Sequence, residues 1–330
     1  MLREEANQKL ATHRSIEADV TLANATPRIC GHAENADLWE TLASAGSNLA
    51  FLGTKLILQV ALMIAYVLVG NVDYAFTQNS QSKETNAGVE PLVWHKIAPG
   101  LWRSQYSLTS PALALISTVE LLRCSLRVNE LRPVVKKIDG HNATFTISSA
   151  LLEQRALVGI NANFYDPNGH PLGLVVANRK TINPIQNGGD LLTGIFAIYS
   201  SGPPKILHRN EMSFENLVSA VQAGPRLVVA GAASELSSTQ NFTRRSGVAI
   251  NRKGEVILFA TTSRIPGASL EQIQAMLLDP RLEIEDALNL DGGGSSQLIL
   301  SHRDNAPQLE IFGGDPVPVG LLLFPKKVHK

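Results

Sequence analysis

The sequence lacks several common signatures of catalysis. It contains no His-Glu-x-x-His pair, no Gly-x-Ser-x-Gly turn and no phosphate-binding loop ending in Gly-Lys-Ser/Thr. Zinc peptidases, α/β-hydrolases and P-loop nucleotidases are therefore excluded as templates. Only two cysteines are present, Cys30 and Cys124, far apart in the chain. They give neither a disulfide framework nor a cysteine zinc site. Aromatic residues make up 5% of the chain, too few for an extended aromatic sugar-binding platform. Twenty-nine basic residues balance 29 acidic ones, so no nucleic-acid footprint is expected. The histidines, among them His170, His208 and His302, are scattered without metal-ligand spacing and read as surface or core residues.

What the chain does have is length and apolar content. Its 330 residues, 44% of them hydrophobic, suffice for one large or two small globular domains. Residues 1–48 are polar and mixed in charge, and read as a flexible cytoplasmic tail. Residues 49–70 are predominantly apolar, interrupted by Lys55 and Gln59. That length suits a single uncleaved transmembrane anchor, with Lys55 snorkelling to the interface; a buried core helix and a signal-peptide core are the alternatives. Arg3, Lys9, Arg14, Arg28 and Lys55 precede or open the run, against Lys83 alone just after it. This bias keeps the N-terminus cytoplasmic and places the rest outside, in a bacterial periplasm or at the cell surface. Residues 71–88 read as a polar linker, and the folded domain spans 89–330.

Within that domain many short apolar runs alternate with turn signals. Leu92–Gln105 reads as strands around a Pro99-Gly100 turn. Leu113–Val119, Leu121–Val128, Thr144–Ile147, Leu157–Phe164, Ile195–Tyr199, Lys205–His208, Arg226–Val229 and Gly247–Ile250 read as strands or short apolar runs. Asn251-Arg252-Lys253-Gly254 turns into Glu255–Thr261 as a hairpin. Helices are expected over Ser149–Arg155, over Ser213–Val221 with Ser213 as N-cap, and from a Ser269–Gln272 capping box to Leu278. The expected fold is α+β: a mixed, twisted β-sheet with flanking helices, preceded by one transmembrane helix.

The densest motif is Asn289-Leu290-Asp291-Gly292-Gly293-Gly294-Ser295-Ser296, set between two apolar runs. Consecutive glycines are costly to order and suit backbone that passes close to something or takes positive φ. The loop is either a tight turn capped by Asp291 or a cradle whose N–H groups hold an anion or a polar sugar. Other segments are Gly159-Ile160-Asn161-Ala162-Asn163-Phe164-Tyr165-Asp166, Gln222-Ala223-Gly224-Pro225-Arg226-Leu227-Val228, Arg245-Ser246-Gly247-Val248-Ala249-Ile250, and Ser263-Arg264 followed by Gly267-Ala268-Ser269-Leu270. In this order they resemble the phosphodiester glycosidase family over about Val89 to Phe324. Two departures stand out: Ser246 replaces the family's threonine, and Ser263-Arg264 lacks the preceding Asp-Gly. The resemblance implies a hydrolase that removes a sugar from a sugar-phosphate diester of an envelope glycan or exopolysaccharide. A non-catalytic envelope module binding phosphorylated glycans is the alternative.

Asp291 ends an apolar run before the glycines, where it would face a cleft. It could orient or deprotonate water, attack an anomeric carbon, or hold a divalent cation such as calcium; the residues leave these roles open, and with them the metal. Asn289 shares its strand face. Asn161 and Asn163 have the same two-residue spacing and form either a polar cleft wall or a bonded pair fixing the turn at Asp166. Arg226 and Arg245 each open an apolar run; a guanidinium there holds a phosphate or makes a surface salt bridge. Arg244 is adjacent, and the family pattern points to Arg245. The expected catalytic set is Asp291, Arg245 and Arg226. Asn161, Asn163, Asp166, Asn289, Gly292, Gly293, Gly294, Ser295, Ser296 and Arg264 are expected to contact substrate.

Overall fold

The computed structural model describes residues 91–326 apart from 111–114, 139–140, 238–240, 263–266, 302–306 and 312. These residues belong to one compact unit, Val89–Lys330. The expected tail, anchor and linker, and Arg264, lie outside the described residues. Among the described residues no helix is long and apolar enough to cross a membrane.

In chain order the first strands are β1 (His95–Ala98), β2 (Leu101–Ser110), β3 (Leu115–Cys124), β4 (Asn129–Ile138) and β5 (His141–Ala143). Helix α1 (Ile147–Gln154) leads into β6 (Val158–Asn161), β7 (Val175–Ala177), β8 (Lys180–Asn183), β9 (Gly194–Tyr199) and β10 (Lys205–His208). Next come β11 (Leu217–Ala223), β12 (Arg226–Val229), β13 (Ala232–Ala233), β14 (Ser246–Asn251) and β15 (Val256–Thr261). Helix α2 (Leu270–Leu277) precedes β16 (Ile284–Asn289), β17 (Leu298–Ser301), β18 (Pro307–Ile311) and β19 (Val319–Pro325).

The strands form three sheets. An eight-stranded sheet runs β1-β2-β3-β15-β14-β16-β12-β13, a five-stranded one β10-β9-β11-β7-β8 and a six-stranded one β18-β17-β6-β19-β4-β5. All assigned pairings are antiparallel; β15 with β3 and β19 with β4 are examples. One core joins the three sheets: Leu258 and Leu288 from the first, Phe196 and Val221 from the second, Ile160 and Leu321 from the third. Helix α2 covers the outer face of the eight-stranded sheet through Ile273, Met276 and Leu277. Helix α1 covers the outer face of the six-stranded sheet through Ile147 and Leu151.

The α+β expectation is thus corrected to a mostly β fold, with only two α-helices among the described residues. The helix expected over Ser213–Val221 is instead β11, a strand between β9 and β7. Its residues Leu217, Ala220, Val221 and Ala223 are buried, and a strand covered on both faces reads as a continuous apolar run. The Ser213 hydroxyl takes the N–H of Glu215, in a local turn. The strand expected over Thr144–Ile147 is reduced to a single bridge at Phe145, because Thr146 caps α1 by accepting the Ser149 N–H. Two local expectations hold. Asn251 closes the β14–β15 turn by accepting the N–H groups of Lys253 and Glu255, and Gly254 supplies φ +73°. The capping box of α2 has both of its bonds, Ser269 with the Gln272 N–H and Gln272 with the Ser269 N–H.

Candidate active site

The glycine loop leaves the end of β16 and is held from three directions. Asn161, the last residue of β6, donates from Nδ2 to the Asp291 carbonyl at 2.7 Å and accepts the Gln297 N–H at Oδ1, 3.0 Å. Ser246 at the start of β14 donates from Oγ to the same Asp291 carbonyl at 2.8 Å. The Asp291 N–H donates to the Ala162 carbonyl at 3.1 Å. From the third side Arg244 accepts the Gly293 N–H at its carbonyl and returns Nε to the Gly293 carbonyl at 3.0 Å. Gly293 itself takes φ +62°.

This clamp exposes the Asp291 side chain to a particular environment. Oδ1 accepts the Gly292 N–H at 2.9 Å, and the carboxylate also takes the Ser295 hydroxyl. Ser295 in turn meets the Tyr165 hydroxyl at 3.2 Å. Burial disfavours the charged form and pushes the carboxyl up to about 6; the two hydrogen bonds oppose the rise, and the charge of Asp315 adds to it. Asp291 is therefore a carboxyl that ionises close to neutral pH.

Arg245 is almost fully buried. Nε donates to the Ala268 carbonyl at 3.0 Å and Nη2 to the Asn241 carbonyl at 2.6 Å. Its backbone is pinned to Thr261. Nη1 lies 3.9 Å from the place a Cβ on Gly292 would occupy, and it has no hydrogen-bond partner among the described residues. Burial holds this guanidinium below its ordinary range, with the Glu271 carboxylate opposing.

Beside the loop lies a cavity of about 450 Å³. Arg245, Thr243, Asn241, Asn289 and Gly292 supply polar wall; Phe164, Leu191, Pro225, Leu236 and Leu270 supply apolar wall. Asn289 donates from Nδ2 to the Gly224 carbonyl at 2.9 Å, while its Oδ1 is buried without a partner. An unpaired buried acceptor is costly, and a ligand hydroxyl or amide N–H would relieve it.

The other expected residues divide. Asn163 is buried and spends Nδ2 on the carbonyls of Leu172, Leu174 and Gln222; its Oδ1 is also unpaired. Asn161 is consumed by the clamp. Asp166 is partly exposed and closes its own turn, accepting the N–H groups of Asn168 and His170 and facing the His170 ring. These contacts, the His170 N–H first, hold its carboxyl below the usual range. Ser296 is fully buried with Oγ unpaired. Arg226 is separated from Arg245. It pairs with Leu288 across β16, and its stem lies against Gly194 on the side facing the five-stranded sheet. Its charge acts on Asp286, opposing the rise that burial gives that carboxyl.

Besides cavity-wall residues such as Asn241 and Thr243, two residues that hold the site together lie outside the set expected from sequence. Gln222 accepts the N–H groups of Leu174 and Gln186 and donates to the carbonyls of Gln186 and Leu192. It thereby ties the segment bearing Asp190 and Leu191 to the sheet. Asp315 packs on the glycine loop. Gln222 opens the Gln222–Val228 motif, where nothing in the sequence marks it as a tie between segments, and Asp315 belongs to no local pattern. Among the described residues no group of three or more His, Cys, Asp or Glu side chains is arranged to hold a metal ion.

Comparison with known proteins fits this arrangement. The sequence profile of the phosphodiester glycosidases matches residues 154–324, from the end of α1 through β19. No curated protein sequence matches the chain. The fold is similar to the catalytic domain of zebrafish N-acetylglucosamine-1-phosphodiester alpha-N-acetylglucosaminidase, auto-inhibited by its pro-peptide. That likeness has a TM-score of 0.56 at 19% identity and covers 72% of this chain and 87% of that one. A hypothetical protein from Synechocystis is similar at TM-score 0.52 and 18% identity, over 73% of this chain and 65% of that one. Since the matched stretch takes in both the clamp and the Asp291 loop, and spans just over half of the sequence, the chain belongs to the phosphodiester glycosidase family.

Proposed function

We propose that the Val89–Lys330 unit is a hydrolase that removes a sugar from a sugar-phosphate diester of an envelope glycan or exopolysaccharide, outside the cytoplasm. The observation that carries this reading is one glycine loop that bears a carboxyl raised to about 6, Asp291, and meets at its next residue, Gly292, the Nη1 of an anchored guanidinium, Arg245. The extracytoplasmic side rests on the excess of lysine and arginine before residues 49–70.

Ionised Asp291 takes a proton from a water that attacks the anomeric carbon. The anomeric C–O bond to phosphate breaks, and its electron pair stays on the phosphate oxygen. The departing phosphomonoester has a second pKa near 6, roughly, and leaves without strong general-acid help. Arg245 offsets its charge. The unpaired Asn289 Oδ1 accepts a hydroxyl or amide N–H of the sugar. A divalent cation such as calcium is a further proposal, tested by adding and chelating it.

The test is sugar release by the full chain from an N-acetylglucosamine α-phosphodiester. Turnover should fall at least a hundredfold in Asp291→Asn and in Arg245→Ala, by roughly the 2.7 kcal/mol or more that loss of one transition-state contact costs. Full activity of folded Asp291→Asn would overturn the assignment. Binding of glycan phosphodiesters without turnover would instead assign a binding module.

A further inference from the structure

The third glycine of the loop has a neighbour that the proposed chemistry does not yet use. A Cβ on Gly294 would stand 1.8 Å from Oδ2 of Asp315, so that carboxylate occupies the space of a side chain at 294. The segment carrying Asp315 is fastened there on purpose-built contacts. Its N–H donates to the Gly294 carbonyl at 3.1 Å, and its carbonyl accepts Nε2 of Gln297 at 2.8 Å. Gln297 is the residue whose N–H meets Asn161 in the clamp. A Cβ on Gly313 would fall 2.1 Å from the Gly294 carbonyl, so the two segments touch backbone to backbone. Arg244 spans them, donating to the carbonyls of Gly293 and Gly313.

The Asp315 carboxylate itself accepts no hydrogen bond among the described residues and is exposed. A loop aspartate normally spends its oxygens on nearby N–H groups, as Asp166 does. Asp315 instead presents an unspent negative charge to the loop that begins at Asp291.

We propose that Asp315 is a positioning residue for Asp291: pressed onto Gly294 and bonded through its backbone to Gly294 and Gln297, it fixes the shape of the glycine loop that carries Asp291. This rests on the reading of Asp291 as the base. A more basic carboxylate accepts the water proton more readily, so the charge at Asp315 raises the chemical step without touching substrate. The groups facing Asp291 are few. The 313–317 segment contributes Asp315, which disfavours its ionisation. Just before β14, Arg244 and Arg245 meet the loop at Gly293 and Gly292, both anchored on backbone carbonyls. The segment after β6 contributes Tyr165, through Ser295. The end of β6 contributes only the carboxamide of Asn161.

The experiment reads Asp291 directly, by ¹³C-carboxyl titration of the full chain labelled at aspartate, alongside the pH profile of sugar release. In Asp315→Asn the Asp291 midpoint should fall by about half a pH unit or more. The acid limb of kcat should move with it, KM staying unchanged. Asp315→Glu should restore both, and high salt should shrink the difference. Gly294→Ala, which displaces the carboxylate while keeping its charge on the chain, should lower the midpoint in the same direction. An Asp291 midpoint unmoved in both Asp315→Asn and Gly294→Ala, with the protein folded, would overturn the proposal. A midpoint that moves in a protein releasing no sugar would uphold the role of Asp315 and remove the hydrolase reading. Normal turnover with an unmoved midpoint would do the reverse.

Discussion

Asp291 carries its ionisation into the stability of the protein. Its carboxyl is raised from 3.8 to about 6 in the folded state, with burial as the first cause. A raised carboxyl contributes stability that is full below the unfolded value and is lost as pH rises through the folded one. Between about pH 4 and pH 6 the folded chain therefore loses on the order of 2 kcal/mol from this group. Asp291→Asn, which cannot ionise, should be more stable than the parent at pH 7 to 8 and no more stable at pH 4. Urea midpoints at the two pH values check this; equal shifts at both would contradict it. Arg245 gives a second test at this scale. Its fork meets two carbonyls at once, which a lysine cannot do. Arg245→Lys should keep the charge yet lose most of the activity, with KM for the phosphodiester rising. Both residues can be picked out in the sequence, because a carboxylate before three glycines and an arginine opening a strand are local patterns. Asn161 is legible as a polar residue on an apolar strand, but not as a clamp. Its partners, Asp291 and Gln297, lie 130 and 136 residues away.

The elements show how far local signals reach. The β14–β15 hairpin and the capping box of α2 are written in four or five consecutive residues, and both are present. Strand β11 is not. Its alternation is erased because both of its faces are covered, and its first turn offers Ser213, a respectable helix cap. Only pairing with β9 and β7 decides for the strand. The Gly224–Pro225 turn that follows it shows the same limit. A Cβ on Gly224 would come within 1.9 Å of the Leu191 carbonyl. Gly224→Ala must push one backbone segment off another, costing roughly 1–3 kcal/mol. It should also shift the cavity wall at Leu191 and Pro225. A lowered denaturation midpoint together with a raised KM is the expected result; a neutral substitution would show that this approach is not tight.

Across the molecule, the sheets are assembled from distant segments. β4 pairs with β19 and β3 with β15, so the six- and eight-stranded sheets each join distant parts of the described chain, while the five-stranded one is built from the consecutive strands β7–β11. Fold class is not legible for this reason: short apolar runs reveal strands singly but not the sheets they join, and three sheets about one core leave helices little role. Long-range pairing of this kind makes folding slow, on the scale of milliseconds to seconds or beyond. Removal of the chain from Val319 onward should strip the central strand β19 from between β6 and β4. It should leave no soluble folded product rather than a smaller domain; a truncated protein with cooperative unfolding would refute this.

The turn at Gln222–Pro225 is gripped by Asn163, which follows β6 of the six-stranded sheet, and by Asn289, which ends β16 of the eight-stranded sheet, while it prolongs β11 of the five-stranded one. The three sheets thus share a single junction, and the cavity opens upon it. A molecule seated against Asn289 bonds to the joint of the whole architecture. Its binding energy is returned as resistance of the entire unit to unfolding, so that occupancy can be read from the slowest-exchanging amides of the core, far from any atom it touches.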